Sequence, residues 1–116
     1  MPLPDLAQLS RIAEPFEWLE LANGESRTLR VERHELGSTV INPRDDRDPF
    51  EIPVLRVHVP PADKPTIPAY WDISAKHLIA GMLGYLDAAA GKLYTFRVTK
   101  RGQGPAARFT LDARPR

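Results

Sequence analysis

The sequence predicts a mainly β protein with one helix. Three observations lead there: short runs that alternate apolar and polar residues, a single stretch whose apolar residues recur at helical spacing, and connections rich in Pro, Gly and Asn. With 116 residues, 42% of them hydrophobic, the chain has room for one domain around one core.

In chain order, Pro2, Pro4 and Pro15 surround a short Leu6, Leu9, Ile12 periodicity. Residues 1–15 are therefore expected to form a loosely ordered N-terminal arm, and residues 16–113 a single domain. Phe16 to Leu21 reads as extended, and Asn23-Gly24 marks a turn into the next strand. From Arg27 to Arg33, Leu29 and Val31 alternate with Thr28, Arg30 and Glu32, the period of a half-buried strand. Gly37 to Ile41 is a short β-branched run, and the charged stretch from Asn42 to Pro49 that follows it is a loop. Val54 to Val59 places Leu55, Val57 and Val59 on one face and Arg56 and His58 on the other. The four prolines from Pro60 to Pro68 exclude a ladder or a helix, and Tyr70 to Ile73 is a brief extended piece.

Ser74 is the expected N-cap of the helix, whose stripe is Ala75, Leu78, Ile79, Met82, Leu83, Leu86 and Ala90, with Gly91 as its stop. Gly81 and Gly84 lie off the stripe and each weaken a helix by roughly 1 kcal/mol relative to Ala, which implies a close approach to the backbone there. A hairpin closes the domain. Tyr94, Phe96 and Val98 alternate with Leu93, Thr95 and Arg97, the tip runs from Lys100 to Pro105, and Phe109 and Leu111 point inward on the return.

The chain has no cysteine, so disulfides, thiolate zinc sites and a cysteine nucleophile are excluded. The start, MPLPDLAQLS, lacks a basic segment followed by an apolar one, and no run of about 18 apolar residues is present. A cytoplasmic location without membrane contact is expected. His34, His58 and His77 have no metal-ligand spacing, and Asp45, Asp46 and Asp48 sit in an Arg-rich loop that can pair with itself. Ser10, Ser26, Ser38 and Ser74 occur in no nucleophile elbow. The stretch Lys100 to Pro105 lacks the order of a phosphate loop and opens no helix. No catalytic residue, metal or cofactor is therefore expected, and the protein reads as non-enzymatic.

The formal net charge of +1 hides a division. Residues 1–55 hold 6 basic and 11 acidic side chains, a net −5, whereas residues 56–116 hold 10 and 4, a net +6. Local charge sets the field, so a basic end attracts polyanions even on a nearly neutral molecule. In the closing hairpin Lys100 and Arg101 precede a glycine-containing tip and Arg108 follows it, a geometry suited to phosphate contacts. Such charges also occur simply as a solvated face. Bases stack on exposed rings, and Trp18, Tyr70 and Trp71, beside loops or in short extended pieces, are the available ones.

The element order is three strands, a helix and two strands. Local signals alone allow several α+β arrangements; a five-stranded partly open barrel of the OB type, with the helix between strands 3 and 4, has this order. Three segments resemble small single-stranded-DNA-binding and replication-accessory proteins of bacteriophages and mobile elements: Trp18 to Val31, Trp71 to Lys76 with the helix behind it, and the hairpin Phe96 to Leu111. The resemblance implies an OB-like barrel whose basic hairpin lines a strand-binding groove. It implies phosphate contacts by Arg97, Lys100, Arg101 and Arg108 and base stacking by Trp71; Arg56 is a further expected nucleic-acid contact. The chain ends in Ala113-Arg114-Pro115-Arg116, where many such proteins carry an acidic tail.

The expected function is single-stranded-DNA binding in phage or mobile-element replication or recombination. The alternative is a protein-interaction module, an accessory or a host-protein inhibitor built on the same barrel. RNA, a replication or host protein, and a second copy of the chain stay open as partners.

Overall fold

The computed structural model describes residues 6–43, 47–87, 93–104 and 107–115. Two three-stranded antiparallel sheets and one helix enclose a shared core. Strands β1 (Ser26–Val31), β5 (Tyr94–Arg101) and β6 (Arg108–Pro115) form one sheet in the order β1-β5-β6. Strands β2 (Arg33–Ile41), β3 (Phe50–His58) and β4 (Tyr70–Ile73) form the other, in the order β2-β3-β4. Helix α1 (Lys76–Leu86) lies between β4 and β5 in the chain.

The expected class, mainly β with one helix, is present, but with six strands rather than five. The difference arises at Glu32. The alternating run from Arg27 and the β-branched run ending at Ile41 form one bent stretch, and its two arms belong to different sheets. The hairpin strands also reach beyond the alternating runs, to Arg101 on one side and Pro115 on the other. The sheets do not close on each other. Pro53 lies inside β3, yet β4 pairs only with Leu55 to His58, so at Pro53 the strand has β2 alone as neighbour and the missing N–H is tolerated.

Leu29 and Val31, Leu55 and Val57, Ile73, Phe96 and Val98 turn inward from the strands, and Leu78, Ile79, Met82 and Leu83 cover them from α1. All are nearly inaccessible, as period 2 and period 3.6 require of elements that share one core. The helix begins one residue later than the sequence suggests. Its N-cap is Ala75, which gives no side-chain cap, and Ser74 is exposed. Ala90 and Gly91, the expected end, lie outside the described residues. At Gly81 an added Cβ would meet Leu111 of β6 at 3.3 Å, whereas Gly84 faces open space.

The N-terminal stretch crosses the second sheet as a strap. Ser38 on β2 donates its N–H to the Ser10 carbonyl and accepts from the Ile12 N–H, both at 2.9 Å. A parallel bridge also joins Trp18 to Asp72 on β4. Between these anchors, Pro15 and Phe16 pass over the outer face of β3. Gly37 makes this possible, since a Cβ there would stand 2.5 Å from the Ser10 carbonyl oxygen and 2.6 Å from the Ile12 side chain. Ser10 and Ile12, within the expected arm, are thus bonded to β2 through their backbones.

Among the described residues no helix is long and apolar enough to cross a membrane.

Candidate nucleic-acid interface

Alternation sorts the side chains of the first sheet into two faces. Tyr94, Phe96, Val98 and Lys100 of β5 share the core side with Phe109, Leu111 and Ala113 of β6. Thr95, Arg97, Thr99 and Arg101 share the outer side with Arg108, Thr110, Asp112 and Arg114, and with Ser26, Thr28 and Arg30 of β1. The outer face is a field of hydroxyls and guanidinium groups with the Asp112 carboxylate among them. Ser26 and Thr99 join hydroxyls at 2.7 Å across β1 and β5.

Register places Arg101 directly opposite Arg108, and Arg97 opposite Asp112. Like charges facing each other across a ladder repel, so the Arg101 and Arg108 pair favours an anion between or above them. A shallow cavity of about 220 Å³ beside them is lined by Thr28, Thr95, Arg97, Asp112 and Arg114. Arg97, Arg101, Arg108 and Arg114 are exposed, and none makes an ion pair among the described residues. Arg30, at the margin of this face, is already engaged by Asp63, to which it donates bonds of 2.7 and 2.6 Å. That hydrogen bond first, and the Asp63 charge second, hold the Arg30 guanidinium above its ordinary pKa.

The structure therefore brings three of the six expected site residues, Arg97, Arg101 and Arg108, onto one face and separates the other three. Lys100 points to the opposite side of β5, because neighbouring residues of a strand alternate. Its backbone is also occupied, donating to the Glu25 carbonyl at 3.0 Å and accepting from Gly24 N–H at 2.8 Å. Gly24 adopts φ 84°, the left-handed conformation that the Asn23-Gly24 turn requires. The Asn23 side chain accepts from Gly102 N–H at 2.9 Å, which fixes the hairpin tip to this turn.

Arg56 stands apart from the arginine face. It is only 6% exposed and donates to both carboxylate oxygens of Asp72, at 2.7 and 3.1 Å, and to the Pro15 carbonyl at 3.2 Å. Burial works against its charge, but the Asp72 hydrogen bonds and charge more than offset this and raise its pKa. The guanidinium carbon also lies 4.0 Å from the Tyr70 ring centroid. Arg56 fastens the strap, with its Nε and one terminal amino group already engaged by Asp72 and Pro15.

Trp71 also stands apart from the arginine face. Its ring packs on the core, and two protein cations stand over it, Arg27 at 4.6 Å and Lys64 at 4.7 Å from the centroid. Lys64 is itself buried and donates to Glu17 and to the Pro68 carbonyl, both at 2.5 Å. Tyr70 donates its hydroxyl to the Pro15 carbonyl, and Trp18 stacks on Phe16 at 5.0 Å. None of these rings belongs to the arginine face.

Arg114, Thr28 and Thr95 were not anticipated. The pattern Arg108-x-Thr110-x-Asp112-x-Arg114 could have revealed Arg114, had the strand been continued to the end of the chain. For chemistry of other kinds, the described residues contain no group of three or more His, Asp or Glu placed to hold a metal ion. His34 lies 3.6 Å from Asp87 and His58 lies 3.4 Å from Glu35. Asp45 and Asp46 lie outside the described residues, and Asp48 is exposed. No protein-family model, curated protein or solved structure matches the chain.

Proposed function

We propose that the protein is a non-enzymatic binder of single-stranded DNA that holds its ligand by the phosphates, across the outer face of β1, β5 and β6. One observation carries this reading: Arg101 and Arg108 face each other in register, with Arg97 and Arg114 on the same side and no ion pair to any of them among the described residues. Guanidinium forks match phosphate oxygens, and the interleaved threonines supply further donors. Without an aromatic ring on the face, affinity rests on counterion release, with little selectivity for base sequence.

We infer further that the two sheets are the halves of a partly open barrel of the OB type. The strand order supports it: read through the bend at Glu32, the neighbours run β6-β5-β1 and then β2-β3-β4, and the helix enters between β4 and β5. The open seam lies between β4 and β6. OB barrels commonly bind along their second and third strands, which here correspond to β3 and β4. The strap crosses that outer face, which favours the arginine face as the surface left for a ligand. The resemblance to phage and mobile-element proteins supports a role in replication or recombination.

The test is fluorescence anisotropy of a labelled oligonucleotide titrated with the protein at low and moderate salt. Binding that weakens steeply as salt rises supports the reading. No detectable binding at low salt, or binding indifferent to salt, refutes it.

A further inference from the structure

Strand β6 has one partner. It pairs with β5 over its whole length, and among the described residues no strand pairs with its other edge. Such an edge presents N–H and C=O groups that a second extended chain can take up. Beside it lie two cavities of about 330 and 430 Å³, both walled by Ala75, Leu78 and Phe109. The larger is floored by Leu78, Phe109 and Leu111 and passes over Gly81, whose missing side chain keeps the groove open above Leu111. Its rim is basic. Lys76, His77 and Arg108 line it, all exposed and none ion-paired among the described residues.

We propose that this groove receives an extended acidic peptide of a partner protein, added as a strand along the β6 edge. One apolar side chain of the peptide sits over Gly81, and its carboxylates face Lys76, His77 and Arg108. Charge complementarity selects this occupant. A basic peptide would meet the cationic Lys76 and Arg108, and a second copy would bring its own Arg108 and Arg114 against the same edge.

The experiment uses the full chain and a labelled eight-residue peptide alternating Glu and Leu, followed by anisotropy and by amide chemical-shift mapping. The expected result is binding that shifts the amides of Phe109, Leu111 and Gly81, while a Lys and Leu analogue does not bind. Gly81→Leu, which fills the groove, and Lys76→Glu, which reverses its rim, should each weaken binding about tenfold or more. If Gly81→Leu fails to fold, the shift map and Lys76→Glu decide. Equal binding of the basic analogue would overturn the proposal. So would shifts confined to Arg97, Arg101 and Arg114, which would mean a general polyanion effect, or a dimer that Gly81→Leu abolishes, which would make the occupant a second copy.

Discussion

Arg56 and Asp72 stand directly opposite each other on β3 and β4, and the Asp72 carboxylate joins the Arg56 guanidinium to the backbone N–H of Glu17, which it accepts at 2.9 Å. One buried ion pair thus ties two strands to the strap that crosses them. Asp72 is 1% exposed, so the loss of its partner would leave a charge without water around it.

Breaking this pair is expected to be costly. Arg56→Met should lower stability by about 3 to 5 kcal/mol in urea unfolding, whereas the double variant with Asp72→Leu should recover part of the loss, since no buried charge then remains. A single-variant loss below about 1 kcal/mol would be the size of an exposed ion pair and would show that the junction is not held in this way.

The Arg30 and Asp63 pair gives the contrast. It has comparable bond lengths, but the Arg30 side chain is 44% exposed. Asp63→Asn should therefore cost much less stability than Arg56→Met in the same urea unfolding. A loss as large as that of Arg56→Met would mean that hydrogen-bond length, rather than burial, sets the cost of breaking an ion pair in this fold.

Gly37→Ala should loosen the strap. The added Cβ would overlap the Ser10 carbonyl and the Ile12 side chain, and overpacking of this kind costs about 1 to 3 kcal/mol. Hydrogen exchange should reveal where the strain is relieved, with the amides of Ile12 and Ser38 losing protection before those of the core strands. Unchanged protection at both amides would contradict the pairing.

The legible part of the fold was whatever a local period could report. Leu29 and Val31, Leu55 and Val57, and the stripe from Leu78 to Leu83 announce their inward faces, and the single helix and the closing hairpin follow from them. The strap was not legible, because it depends on Gly37 in β2 meeting the backbone of Ser10, far back in the chain, and no local pattern encodes that distance. The site divided along the same line. Arg97 and Arg101 share a face by simple alternation, which also removes Lys100. The burial of Arg56 was not legible, because an arginine on the polar face of a strand looks solvated until the chain segment that covers it is placed.

Tyr70 supplies a pH signature. Burial, more than the opposing charge of Arg56, raises its pKa above the usual 10.0. A proton held more tightly in the folded than in the unfolded state gives stability that is present below the unfolded value and is lost as pH climbs through the folded one. Tyrosinate absorbance should therefore show an ionisation phase above pH 10.0, accompanied by falling stability. Tyr70→Phe should remove that phase and flatten the alkaline loss, and persistence of both would assign them elsewhere.

The most direct test of the arginine face is the salt dependence of single-stranded-DNA binding, measured for the wild type and for Arg101→Glu with Arg108→Glu. With Arg97, Arg101, Arg108 and Arg114 on phosphates, the logarithm of affinity should fall against the logarithm of salt with a slope of roughly −3 for the wild type. Removing two contacts should flatten the slope by about 1.4 and weaken binding alike for every oligonucleotide sequence. A double variant that binds with the wild-type slope, or loses affinity for some sequences only, would place the DNA on another surface.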